Sequence, residues 1–224
     1  MIPMAVLALQ PPALLTPPLR RRVVAPVLEN GDHLNTHEFL RRYEFAKEVR
    51  KAQLIEGIVH MPSPVRADDH AAPDGFIIFW LNYFAMLHPE LAVYPNVTLL
   101  LDAENAVQPD SILCTAPRAG SHVYLNAKGY LCGSPELVCE ITASTASVDI
   151  HEKLRAYRRN GIQEYLVWLT EEKKVLWFQL VDQAYVPKMP KAGKLSSTIF
   201  PGLVLDVKAL LKMDRAKLVQ GLVG

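Results

Sequence analysis

The sequence predicts a mixed α/β (α+β) fold, a central mixed sheet flanked by helices. Three observations predict it. Two apolar runs with strand character, Leu137 to Thr142 and Tyr165 to Leu169, are separated by a stretch of helical periodicity that stops at Gly161. The second run is followed, across the polar Glu171 to Lys174, by Val175 to Val181, which is hairpin spacing. An aromatic stripe recurs at threes and fours through Phe76, Phe79, Trp80, Tyr83, Phe84 and Leu87, the pattern of an apolar helix that belongs to a core. A chain of 224 residues suits one domain with a proper core and is short for two.

In chain order, residues 1–30 read as a Pro-rich arm. Pro11, Pro12, Pro17 and Pro18 break any helix long before membrane-spanning length, and Arg20 to Arg22 follow the apolar run rather than precede it, unlike a signal peptide. The arm is therefore expected to be irregular and dispensable for folding of the single domain at 31–224, with no membrane association. Thr36 reads as an N-cap for a helix from Glu38 to Lys47. Ala52 to Met61 reads as a strand with Gly57 as a turn or bulge, ended by Pro62-Ser63-Pro64. Val65 to Gly75 is expected to be a polar loop, either lying over a site or simply solvated; it holds Asp68, Asp69 and His70. Ala92 to Asp102 reads as a strand pair interrupted by Pro95-Asn96, Asp102 to Gln108 as a turn, and Ala116 to Gly133 as a loop. A Pro-Gly turn at 201–202 leads to a C-terminal helix from Val207.

Composition narrows the function. The formal net charge is +1, so no global basic field recruits nucleic acid and any such contact must come from local patches. Cys114, Cys132 and Cys139 lack metal-type spacing and read as buried thiols of a reducing, cytoplasmic compartment. The chain has no phosphate-cradling P-loop, no dinucleotide fingerprint and no Ser-His-Asp spacing.

The residues with chemistry lie between 108 and 168. Along Leu137 to Thr142, Leu137, Cys139 and Ile141 face one way and Val138, Glu140 and Thr142 the other. A glutamate inside such a strand is unfavourable to bury unpaired; it sits either at an exposed strand end or in a functional site. Asp110, which opens Asp-Ser-Ile-Leu-Cys after Pro109, is either a turn residue or a second site carboxylate. In the helix capped by Ser144, Thr145 or Ser147, the buried stripe is Ile150, Leu154 and Tyr157, and Lys153 lies beside it. Lys153 either pairs with Asp149 one turn earlier or reaches across to Glu140. Two carboxylates at adjacent strand ends suit Mg²⁺ or Mn²⁺.

Gln-Pro-Asp at 108–110, Pro-Glu-Leu-Val-Cys-Glu-Ile at 135–141, the Ser/Thr-rich turn with Asp149 and Lys153, and Tyr157 followed by Gly161-Ile162-Gln163-Glu164-Tyr165 and Trp168 together resemble the Uma-two family. That family falls within the PD-(D/E)XK restriction-endonuclease-like superfamily. The resemblance runs from about Thr36 to Leu211. It implies a metal-dependent endonuclease that hydrolyses DNA, with Asp110, Glu140 and the Ile141 carbonyl holding the metal and Lys153 orienting a water or offsetting phosphate charge. Gln53, Glu56, His70, Thr142, Asp149 and Tyr157 are accessory candidates. Two positions depart from the pattern. Thr142 stands where the superfamily usually keeps its strand lysine, which implies that Lys153 has taken over from the helix. Gln53 stands where many relatives have Glu. Gln53 and the modest charge favour the alternative, a catalytically weak or silent nuclease-fold protein that binds nucleic acid or a protein partner. A homodimer is compatible with either reading.

Overall fold

The computed structural model describes residues 26–61, 67–143 and 148–222, with the side chains of residues 68, 69, 148 and 149 outside that description. Most of the expected arm, including Arg20 to Arg22, lies outside the described residues, as do the cap candidates Ser144, Thr145 and Ser147. Within the arm's last residues Leu28 is buried in a small cluster with Phe39, Leu54 and Val59.

The helix α1 (Thr36–Phe45) begins two residues earlier than expected, and its N-cap lies one residue earlier. Its N-cap is Asn35, whose Oδ1 accepts from the Glu38 N–H at 2.9 Å, while the Thr36 hydroxyl is drawn off to the Asp102 carbonyl at 2.7 Å. The strand expected at 52–61 is a tight hairpin, β1 (Gln53–Ile55) and β2 (Ile58–His60), reversed at Glu56-Gly57, both with positive φ. The region expected as a polar loop is helical where it is described: a π-helical turn at Ala67–Ala71 runs into α2 (Ala72–Met86), with Pro73 in the first turn.

The expected strand pair at 92–102 is instead split between two sheets. β3 (Leu91–Pro95) pairs antiparallel with β6 (Ser111–Thr115), whereas β4 (Leu99–Asp102) pairs with β5 (Asn105–Val107), a strand where a turn was expected. Residues 116–133, expected as loop, contain β7 (Val123–Leu125) and β8 (Leu131–Gly133). Gly133 has a φ of +99°, and a Cβ there would collide with the His122 carbonyl. The remaining elements are β9 (Leu137–Thr142), α3 (Val148–Arg159), β10 (Glu164–Leu169), β11 (Lys174–Val181), β12 (Ala184–Pro187), β13 (Lys194–Ser196), β14 (Val204–Asp206), α4 (Val207–Leu211) and α5 (Arg215–Gln220). The single C-terminal helix expected from Val207 is broken at Met213, where φ is +52°.

The mixed central sheet has the order β12-β11-β10-β9-β6-β3, with β9 and β10 parallel and joined by α3. A second sheet, β2-β1-β5-β4-β8-β7, stands beside it. The alternation expected in β9 holds. Leu137, Cys139 and Ile141 pack with Phe76, Trp80 and Phe84 of α2 and with the C-terminal helices. Val138 lies on the opposite face with Ile150, Ala156 and Tyr157 of α3. Among the described residues no helix is long and apolar enough to cross a membrane.

Candidate active site

The antiparallel register of β6 on β9 pairs Ser111 with Cys139. One residue further, Asp110 falls opposite Glu140, so the two carboxylates leave the same face of neighbouring strands. Both are buried, Asp110 at 2% exposure and Glu140 at 6%. Helix α3 covers Glu140 from above. Lys153 Nζ lies 3.0 Å from Glu140 Oε2, and the Tyr157 hydroxyl donates to Oε1 at 2.7 Å. Lys153 therefore reaches across to the strand, one of the two alternatives its helical phase left open. The side chain of Asp149 lies outside the described residues.

Asp110 is held from three sides. The Ile141 N–H donates to Oδ2 at 2.9 Å, His70 Nε2 approaches Oδ2 at 3.3 Å, and Lys51 Nζ lies 3.5 Å from Oδ1. Asp74, in the first turn of α2, completes the surroundings: its Oδ2 accepts from Asn96 Nδ2 at 3.4 Å, and Oδ1 is buried without a hydrogen bond. Lys51, Asp74 and Asn96 were not among the residues singled out from the sequence. Each is an ordinary polar residue in its local context, and only the tertiary fold brings it here.

The electrostatics divide the two carboxylates. Burial raises the Glu140 carboxyl, and although the Lys153 charge opposes this, the Asp110 charge adds to it, leaving Glu140 at about 7. Burial would raise Asp110 too, but the His70 hydrogen bond and the Lys153 and Lys51 charges prevail and hold it down at about 2. Burial and then the Asp110 charge push Asp74 up to about 6. The hydrogen bond to Asp110 raises His70. Burial and then the Glu140 charge hold the Tyr157 phenol well above its usual value, so it stays a proton donor to Glu140.

A family model described as "Putative restriction endonuclease" matches residues 36–208. The chain belongs to the Uma2 family. A crystal structure described as a putative nuclease belonging to DUF820, from Anabaena variabilis, is similar in fold, with a TM-score of 0.60 at 14% identity, covering 77% of this chain and 97% of that one. No match is found among functionally curated proteins. The Uma2 assignment makes the chain one of a family of restriction-endonuclease-like nucleases.

The other accessory candidates take varied places in this Uma2 chain. Gln53 Oε1 accepts from the Gln108 N–H at 3.4 Å, bracing the backbone that leads to Asp110. Glu56 is committed elsewhere: it accepts from Arg155 at 2.9 Å and Arg159 at 3.2 Å, clipping α3 to the β1–β2 turn. Thr142 is half-buried, and its carbonyl accepts from the Thr170 N–H at 2.9 Å on the β10 side. A strand residue's N–H and C=O point to the same side. Since the Ile141 N–H donates to Asp110, its carbonyl also faces the β6 side, beyond the first residue of that strand.

Among the described residues no three His, Cys, Asp or Glu side chains converge into a set that would hold a metal ion unaided. The oxygen donors at this place are the two opposed carboxylates and, on the β6 side of β9, the Ile141 carbonyl, all hard oxygens. This set fits a Mg²⁺-type ion, which keeps several waters and takes one or two protein carboxylates. The raised Glu140 points the same way, because a buried carboxylate facing a second is relieved by added positive charge.

Proposed function

We propose that this Uma2 protein is a Mg²⁺- or Mn²⁺-dependent endonuclease that hydrolyses the phosphodiester backbone of DNA. The observation that carries this reading is the opposed pair of buried carboxylates, Asp110 and Glu140, with Lys153 already seated on one of them. Asp110, Glu140 and the Ile141 carbonyl would hold the ion. When bound, such an ion lowers the pKa of a water and offsets charge on a phosphoryl oxygen. The chain's own residues do the rest. Lys153 and Tyr157 fix the Glu140 carboxylate from both oxygens, so it cannot rotate away from the site. Lys153 also carries positive charge to the place where the transition state becomes more negative. Water is the nucleophile, and the departing oxygen takes its proton from solvent. The protein is proposed to act in the cytoplasm, consistent with three buried free thiols, Cys114, Cys132 and Cys139.

One observation favours the alternative of a nuclease fold that binds without cutting. Lys51 and His70 already occupy Asp110, and Gln53 adds no charge. A single assay separates the two. Supercoiled plasmid should be nicked in Mg²⁺ or Mn²⁺, not in EDTA, and not by Asp110→Ala. Absence of nicking by the wild-type chain in either ion would leave the binding-only reading.

A further inference from the structure

We propose that Lys51 is the phosphate-anchoring residue of this site, held on Asp110 in the ion-free protein and released to a substrate phosphate when a divalent cation takes that carboxylate. The inference rests on the nuclease reading and deepens it.

Lys51 stands between the buried carboxylates and solvent. Its side chain is 27% exposed, against 3% for that of Asp110. It is loosely held, at 3.5 Å from Asp110 Oδ1 and 3.4 Å from Asn96 Oδ1. Among the described residues, the Lys153–Glu140 pair of this site and the Lys188–Glu164 pair on the far side of β10 are tighter, at 3.0 Å and 2.7 Å. Asn96 supplies a fixed frame on one side. It sits at a φ of +50°, its N–H donates to the Asp110 carbonyl at 3.0 Å, and its amide reaches Asp74. Next to Lys51 in sequence, Lys47 and Arg50 are exposed, with the exposed Glu48 between them. In a chain of net charge +1, a phosphate contact here rests on Lys51 itself rather than on a broad basic patch.

Charge balance gives the mechanism. The carboxylates of Asp74, Asp110 and Glu140 face Lys51, Lys153 and His70. A divalent cation on Asp110 and Glu140 would repel the Lys51 ammonium from the oxygen it now approaches. The four-carbon stem is flexible and the ammonium is a mobile point charge, so it turns toward the next available anion. That anion is a phosphate of the bound strand.

The experiment is the salt dependence of DNA binding, followed by anisotropy of a labelled duplex in Ca²⁺ and in EDTA. A residue that meets a phosphate contributes about 0.9 to the slope of log K against log salt on duplex DNA. In Ca²⁺, Lys51→Met should lose about that much slope and Lys51→Arg should keep it. In EDTA the wild type and Lys51→Met should nearly coincide, since Asp110 then retains the ammonium. Equal slopes for wild type and Lys51→Met in Ca²⁺ would overturn the proposal. If Lys51→Met does not fold, Lys51→Gln carries the same comparison. Nicking lost in Asp110→Ala together with an unchanged Lys51→Met slope overturns the role of Lys51 alone. A wild-type chain that neither binds nor nicks DNA overturns this inference and the nuclease reading together.

Discussion

Two buried glutamates on adjacent parallel strands have opposite fates in this protein. Glu164, at the start of β10, is completely enclosed and fully answered. It takes Lys188 Nζ at 2.7 Å, the Ser197 hydroxyl at 2.7 Å, and the N–H and hydroxyl of Thr198 at 2.8 and 2.9 Å. Glu140, on β9, has Lys153 and Tyr157 but also faces Asp110, and its carboxyl is raised to about 7. The first is a clip that ties β10 to the 188–198 segment. The second is held in position with charge left over. A lysine beside a buried glutamate is common to both, so the pairing by itself does not mark a site. What sets Glu140 apart is the second carboxylate across the strand pair.

The comparison can be broken most severely at Glu164. Glu164→Ala should destabilise the fold by about 3–5 kcal/mol, because Lys188 and several donors lose their shared acceptor. Denaturant unfolding measures this, and a loss below about 1 kcal/mol would contradict the clip. The corresponding change on the site side is Lys153→Ala. It should slow nicking roughly a hundredfold, about 3 kcal/mol of transition-state stabilisation, measured at a temperature where a melting curve shows the variant folded, since Glu140 also loses its cation. Partial rescue by adding Thr142→Lys would show that the strand and helix positions point into one site; unchanged nicking would remove Lys153 from the chemistry.

The pH dependence sharpens the same contrast. The folded protein binds the Glu140 proton more tightly than the unfolded chain does, so stability in EDTA should fall as pH rises from about 4.5 to 7. His70, raised by Asp110, acts in the same direction, so Glu140→Gln is needed to isolate the glutamate's share. Melting curves for wild type and Glu140→Gln that stay parallel across this range would contradict the raised carboxyl. The smallest effect is expected at Glu56, whose ion pairs with Arg155 and Arg159 are half-exposed. Glu56→Gln should cost less than about 1 kcal/mol and leave nicking intact.

The segment that carries the pair was the most legible part of the sequence. β9, α3, β10 and β11 are long enough for their periodicities to register, and Lys153 and Tyr157 could be placed from helical phase beside Ile150. The second sheet was legible only in part, at Ala52 to Met61 with its Gly57 turn and at the end of the 92–102 run, for the opposite reason. β1, β2, β5, β7 and β8 have three residues each, too few to display alternation, and their burial comes from partners far along the chain. The helical start of α2 hid behind Asp68, Asp69 and Pro73, residues that read as loop until the aromatic stripe begins. In the site, Glu140 stood out because a charge interrupted an apolar strand, and Asp110 because a carboxylate after Pro109 opened one. Lys51, Asp74 and Asn96 interrupted nothing. Glu56 carried a site-like context yet went to Arg155 and Arg159, since a turn glutamate finds the nearest helix cations first.

The site is assembled from segments scattered along the chain: Lys51 before β1, His70 and Asp74 around the start of α2, Asn96 and Asp110 on either side of β4 and β5, and Glu140, Lys153 and Tyr157 on β9 and α3. None of these groups meets its partners through local structure. During synthesis the carboxylate pair cannot face each other until β9 has docked on β6, and Glu140 has no cation until α3 has left the ribosome and folded over it. A chain interrupted anywhere before Tyr157 holds no assembled centre. Assembly of the centre is thereby tied to the docking of α3 on β9, not to any one local element.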